Sequence, residues 1–112
     1  MRACLAGWGT ALPEHRLTNA ELETRVETTD EWIVERTGIR ERRVATPDET
    51  TASLAVDASA AAIKSAGLTP DAIDLLIVAT CTPEQPLPHT GAFVGDKLGI
   101  CLLYTSDAAD EL

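Results

Sequence analysis

The spacing of apolar and polar positions changes several times along the chain, and each change marks an element. Ala3 to Ala6 is apolar before Gly7 and Gly9 relax the backbone, which predicts a strand running into a turn. Gly7-Trp8-Gly9 lacks the remaining glycines of a phosphate-binding loop, so these glycines are read as sites of close backbone packing. Thr18 followed by Glu21 has the form of a capping box and predicts a helix start within "TNAELE". A second helix is expected to open at Thr29 or Asp30 and to stop at Gly38. A longer one runs from about Thr51 to Ala66 and is closed by Gly67. Its face of Leu54, Ala58, Ala61, Ala62 and Ser65 follows helical spacing and is mostly small, which suits close packing in a core.

The period then shifts. Leu75 to Ala79 is uninterrupted, apolar and rich in branched residues, as expected of a parallel strand covered on both faces. The proline-broken loop "PEQPLPH" gives way to "TGAFVGDKLG", a further helix with Thr90 near its cap. Helices alternating with buried strands define an α/β class.

Composition narrows the function classes. The chain has 112 residues, is 45% hydrophobic and carries 18 acidic against 9 basic residues, a net charge of -9. That balance argues against nucleic acid as a partner, although Arg36, Arg40, Arg42 and Arg43 form a basic island. No apolar run approaches the ~20 residues of a membrane span, and no signal peptide is visible, so the expected location is cytoplasmic, without a membrane partner. Cys4, Cys81 and Cys101 with His15 and His89 show no metal-ligand spacing and read as scattered reduced thiols. Cys4 is expected to be a buried structural cysteine.

The candidate chemistry lies in the arginine-rich segment. Trp32 and Arg36 are four apart and therefore neighbours on one helical face, with Thr28 just before the helix. An indole can stack a purine, a guanidinium fork fits phosphate oxygens, and a hydroxyl can add a hydrogen bond. The same spacing also suits a surface cation–π pair with no ligand, worth ~0.5–1 kcal/mol when exposed. Spacing alone leaves both readings open.

Taken together, "TNAELE", "VETTDEWIVERTGIRERR", "LLIVAT" and "LGI" closely resemble the amino-terminal part of β-ketoacyl-acyl carrier protein synthase III, from about Gly7 to Ile100. Starter-unit synthases of polyketide pathways share much of this pattern. The resemblance implies part of a thiolase-like fold, an incomplete first half of a duplicated α/β/α/β/α architecture that assembles as a homodimer. It implies condensation of an acyl-CoA with malonyl-acyl carrier protein to give a 3-oxoacyl product. Coenzyme A would enter as a thioester substrate, with no cofactor. On this match Trp32 stacks on the adenine, Thr28 hydrogen-bonds near it and Arg36 meets the phosphates. Arg40 and Arg42 are assigned to local ion pairing with the abundant acids. Cys81 matches an acyl-pocket wall, and Leu87 a position from which a side chain reaches into the partner subunit's acyl pocket.

The resemblance also implies that the nucleophilic cysteine and its His and Asn companions lie beyond this chain, so that no catalytic residue is assigned and the fragment is expected to be inactive. Its apolar strand and Ala-rich helix are expected to lack partners. Residues 101–112, "CLLYTSDAADEL", do not follow the family pattern. Their codons can be written as a transposon-end sequencing adapter, so a non-native tail is expected, with a natural divergent terminus as the other reading. A non-catalytic module binding coenzyme A or acyl carrier protein, and a plain structural α/β subunit, remain as alternatives.

Overall fold

The computed structural model describes residues 2–101 and 106–107, the last two by backbone alone. The chain forms two compact units, one of Met1–Ala11 with Thr50–Leu112 and the other of Leu12–Glu49.

The Leu12–Glu49 unit is a short hairpin-like pairing that carries two helices. β1 (Arg16–Thr18) pairs antiparallel with β2 (Glu41–Arg43), Leu17 opposite Arg42. The pairing is extended by Val44 N–H to the His15 carbonyl at 3.0 Å, and Arg43 donates to the Pro13 carbonyl at 2.8 Å. Neither strand was legible in the sequence, because "RLT" and "ERR" show no apolar alternation. α1 (Asn19–Glu23) starts where the capping signature predicts, Thr18 Oγ1 accepting the Glu21 N–H at 3.2 Å. The Glu21 carboxylate meets the Arg25 guanidinium instead of reaching back to Thr18. α2 (Asp30–Thr37) is capped by Thr29, whose Oγ1 accepts the Trp32 N–H at 3.2 Å. It ends at Gly38, whose φ of 71° is the left-handed conformation that glycine adopts without a Cβ penalty. Ile33 is the buried apolar residue of α2.

The other unit is built on α3 (Thr51–Ser65) and α4 (Thr90–Leu98). α3 begins with a complete capping box: Thr50 Oγ1 accepts the Ser53 N–H at 3.1 Å and Ser53 Oγ accepts the Thr50 N–H at 2.9 Å. The small face of α3 serves as expected, because Gly7 and Gly9 lie directly against it. A Cβ on Gly7 would sit 2.6 Å from the Ala62 carbonyl oxygen, and one on Gly9 would collide with the Ala58 carbonyl and the Ala62 nitrogen. β3 (Ile77–Val78) pairs in parallel with β4 (Ser106–Asp107). Val78, Val94 and Ile100 are the buried apolar residues described in this unit.

Three expectations change. No strand forms at Ala3–Ala6: no ladder partner is described there, and Leu5 is 85% exposed. Cys4 is exposed rather than buried, since a segment without a sheet neighbour has no layer to bury it. The Leu75–Ala79 strand contracts to Ile77–Val78, and although its pairing is parallel as expected, Leu75 and Ile77 are exposed. A parallel strand is buried on both faces only when elements lie over both. The remainder of the 101–112 segment, for which a non-native tail was expected, lies outside the described residues.

Candidate functional site

Trp32, in the first turn of α2, links the other two residues: it shares a hollow with Thr28, just before the helix, and carries Arg36, from the last turn, over its ring. The Thr29 cap sets the first turn of the helix, and helical winding then brings residues 32 and 36 onto one face. Arg36 Cζ lies 5.0 Å from the centroid of the Trp32 ring, so one indole face carries the guanidinium while the ring remains 54% exposed. Glu27, Thr28, Thr29 and Trp32 line a hollow of about 240 Å³. Thr28 Oγ1 is buried and has no hydrogen-bond partner, which leaves a donor and acceptor unsatisfied beside that hollow. An exposed aromatic plate, a cation on its face and an unmet hydroxyl suit a flat, anionic ligand.

What holds this face was missed by sequence reading. Asn19, only 1% exposed, donates Nδ2 to Asp30 Oδ1 at 2.7 Å and to the Ile39 carbonyl at 2.8 Å, and its Oδ1 accepts from Arg42 at 2.9 Å. Glu23 adds a carboxylate to the Asp30 N–H at 2.6 Å. The expected ion pairing of Arg40 and Arg42 is corrected: Arg42 meets an amide, and the ion pairs found among the described residues are Arg16–Glu41 and Arg25–Glu21. Burying Asn19 beside Arg42 satisfies the guanidinium with a neutral acceptor, so no acid is drawn to it.

Cys81 and Leu87 belong to the other unit, on the loop that follows β3. Both are exposed, Leu87 at 71%, and the Leu87–Pro88 peptide is cis. Neither lines the hollow of about 440 Å³ formed by Ala52, Ser53 and Val56 of α3, Phe93 and Lys97 of α4, and Glu84. Glu84 anchors the loop between two helix starts, accepting the Ala52 N–H of α3 and the Thr90 hydroxyl of α4, the latter at 3.1 Å. Burial pushes its carboxyl pKa up. The amides of Ala52 and Glu84 and the hydroxyls of Thr90 and Thr50 outweigh that and hold it below its ordinary value of 4.5. Nearby, Thr51 Oγ1 donates to the Thr82 carbonyl at 2.7 Å. A carboxylate six residues beyond the end of β3, ahead of a helix, was the sequence signal for this anchor.

Among the described residues, no helix is long and apolar enough to cross a membrane, and no group of three or more His, Cys, Asp or Glu could hold a metal ion.

No family model matches the chain. It is 52% identical over 100 residues to the β-ketoacyl-[acyl-carrier-protein] synthase III of Sinorhizobium medicae, a match covering 89% of this chain and 31% of that protein. The crystal structure of 3-oxoacyl-[acyl-carrier-protein] synthase III from Aquifex aeolicus superposes with a TM-score of 0.88 at 42% identity, over 93% of this chain and 33% of that one. A priming β-ketosynthase of the R1128 polyketide pathway gives a TM-score of 0.89 at 34% identity, over 97% of this chain and 34% of its own. The fold is therefore part of the thiolase-like architecture of condensing enzymes. Within that class the sequence resembles that of a β-ketoacyl-acyl carrier protein synthase III, consistent with an N-terminal fragment. The chain spans about a third of the length of the curated relatives it matches.

Proposed function

We propose that this chain is the coenzyme A-gripping portion of a synthase that condenses an acyl-CoA with malonyl-acyl carrier protein, at the first step of fatty acid synthesis. The observation that carries the reading is the Trp32–Arg36 face at 5.0 Å beside the unsatisfied Thr28 hydroxyl. The indole takes the adenine, the guanidinium leaves the ring face for the phosphates, and Thr28 hydrogen-bonds the nucleotide. Parting an exposed cation–π pair costs ~0.5–1 kcal/mol, less than a charge-assisted hydrogen bond to phosphate returns. Coenzyme A acts here as the carrier of the substrate acyl group, and no separate cofactor is needed.

Cys81 and Leu87 serve the acyl group, Leu87 across a homodimer interface, where its exposed side chain would be covered by a second copy. Bond-making belongs to a cysteine, a histidine and an asparagine outside these residues, so the chain alone binds coenzyme A without turning over, in the cytoplasm. The tail from Cys101 onward is proposed to lie outside the synthase pattern. The likeness to a polyketide priming enzyme favours a second reading in which the primer feeds a polyketide instead.

Coenzyme A titration of the purified chain, followed by isothermal calorimetry, tests the grip. Saturable binding heat is expected, lost in Trp32→Ala and weakened about tenfold in Arg36→Ala, on the scale of one charge-assisted contact. Equal binding by both variants and the unsubstituted chain would sink the reading.

A further inference from the structure

Asn19 is the buried polar side chain of the Leu12–Glu49 unit, and it does not line the hollow beside Trp32. Its amide reaches both ends of α2. Nδ2 donates to Asp30, the first residue of that helix, at 2.7 Å, and to the carbonyl of Ile39, just past the Gly38 cap, at 2.8 Å. Its Oδ1 accepts from Arg42 of β2 at 2.9 Å, and its backbone N–H donates to the Arg40 carbonyl at 3.2 Å. Both side-chain donors and the side-chain carbonyl are therefore used. α2 has 8 residues, fewer than the ~12–15 at which an isolated helix becomes even marginally stable in water. Trp32 and Arg36 are neighbours only while that helix stays wound.

We propose that Asn19 is a positioning residue for the Trp32–Arg36 face: by fastening both ends of α2 to α1 and β2, it keeps that helix wound, so that Trp32 and Arg36 share one face beside Thr28 before a ligand arrives, while the Arg36 side chain stays free to swing to the phosphates. A preformed face spares the ligand the entropy of ordering it, so the clamp raises affinity without touching the ligand. The identity of that ligand rests on the coenzyme A reading above; the clamp does not.

The test uses the whole chain carrying Trp8→Phe, which leaves Trp32 as the sole tryptophan. The Trp32 indole resonance, its cross-relaxation with Arg36 and amide exchange across α2 and β1–β2 are recorded, and coenzyme A is then titrated. In Asn19→Ala the indole–Arg36 contact and α2 protection should be lost, β1–β2 protection should persist, and affinity should fall about tenfold. Asn19→Asp should be worse, since its carboxylate faces the Asp30 carboxylate and the Ile39 carbonyl. Adding Asp30→Asn should recover part of the loss, because the new amide can donate back to position 19. If Asn19→Ala fails to fold, Asp30→Ala decides. It leaves the bonds to Ile39 and Arg42 in place, and α2 should then exchange faster than β1–β2. The proposal is overturned if these variants keep the indole–Arg36 contact and the affinity, or if β1–β2 protection falls in step with that of α2. If coenzyme A shifts no Trp32 resonance in the otherwise unsubstituted chain, the coenzyme A reading falls, while the contact and exchange data still decide the clamp.

Discussion

The two units solve the problem of holding short elements together in opposite ways. The Leu12–Glu49 unit has little apolar core, with Ile33 buried, and is tied by a saturated amide at Asn19. The unit of Met1–Ala11 and Thr50–Leu112 relies on close approach of small residues, Gly7 and Gly9 against the alanines of α3, and on burial of Val78, Val94 and Ile100. Its apolar strand residues remain partly open, Ile77 at 60% exposure. Polar fastening depends on direction and fails when one partner is removed; close packing depends on volume and fails when an atom is added.

Substitutions can break each side of that comparison. Ile33→Ala should have the largest effect, roughly 3 kcal/mol, because it empties a buried site of the Leu12–Glu49 unit. Denaturant titration read through Trp32 checks it. Gly9→Ala should cost about 1–3 kcal/mol by forcing a methyl into the backbone of α3. Amide exchange should show the loss in α3 and leave α2 unchanged; protection lost equally in both would blur the distinction between the units.

Glu84→Gln should cost about 1 kcal/mol by weakening the carboxylate's hold on the start of α3. The same contact has a sign in pH. Because the folded carboxyl sits below its ordinary 4.5, its contribution is complete above that value and is lost as pH falls through the lower folded one. Exchange of the α3 amides against pH should show an acid step that Glu84→Gln removes. The smallest effect belongs to Ile77→Thr, within about 0.5 kcal/mol, since the side chain is mostly exposed. Binding of an apolar dye should nevertheless decrease, as the substitution trims exposed apolar surface.

Local structure was largely legible along the chain, because caps and stops are written within a few residues. Thr18, Thr29 and Thr50 cap where their side chains can reach an amide three residues on, and Gly38, Gly67 and Gly99 take the positive φ that ends a helix. The Trp32–Arg36 face was equally accessible, being a consequence of helical pitch. The β1–β2 pairing was not, since three-residue segments such as "RLT" and "ERR" form strands only when a partner some 25 residues away supplies the ladder. The Asn19 clamp and the Glu84 anchor escaped for the same reason: each joins groups that are distant in sequence.

The sequence by itself determined where helices begin and end, which residues share a helical face, and the kinship with condensing enzymes, because these depend on neighbours a few residues apart or on a continuous pattern. Only the tertiary structure decided that Asn19 fastens both ends of α2, that Gly7 and Gly9 seat against α3, and that the Leu75–Ala79 run stays partly open. Those outcomes depend on which distant backbone and side-chain atoms come within hydrogen-bonding or van der Waals reach, and no local spacing encodes that distance.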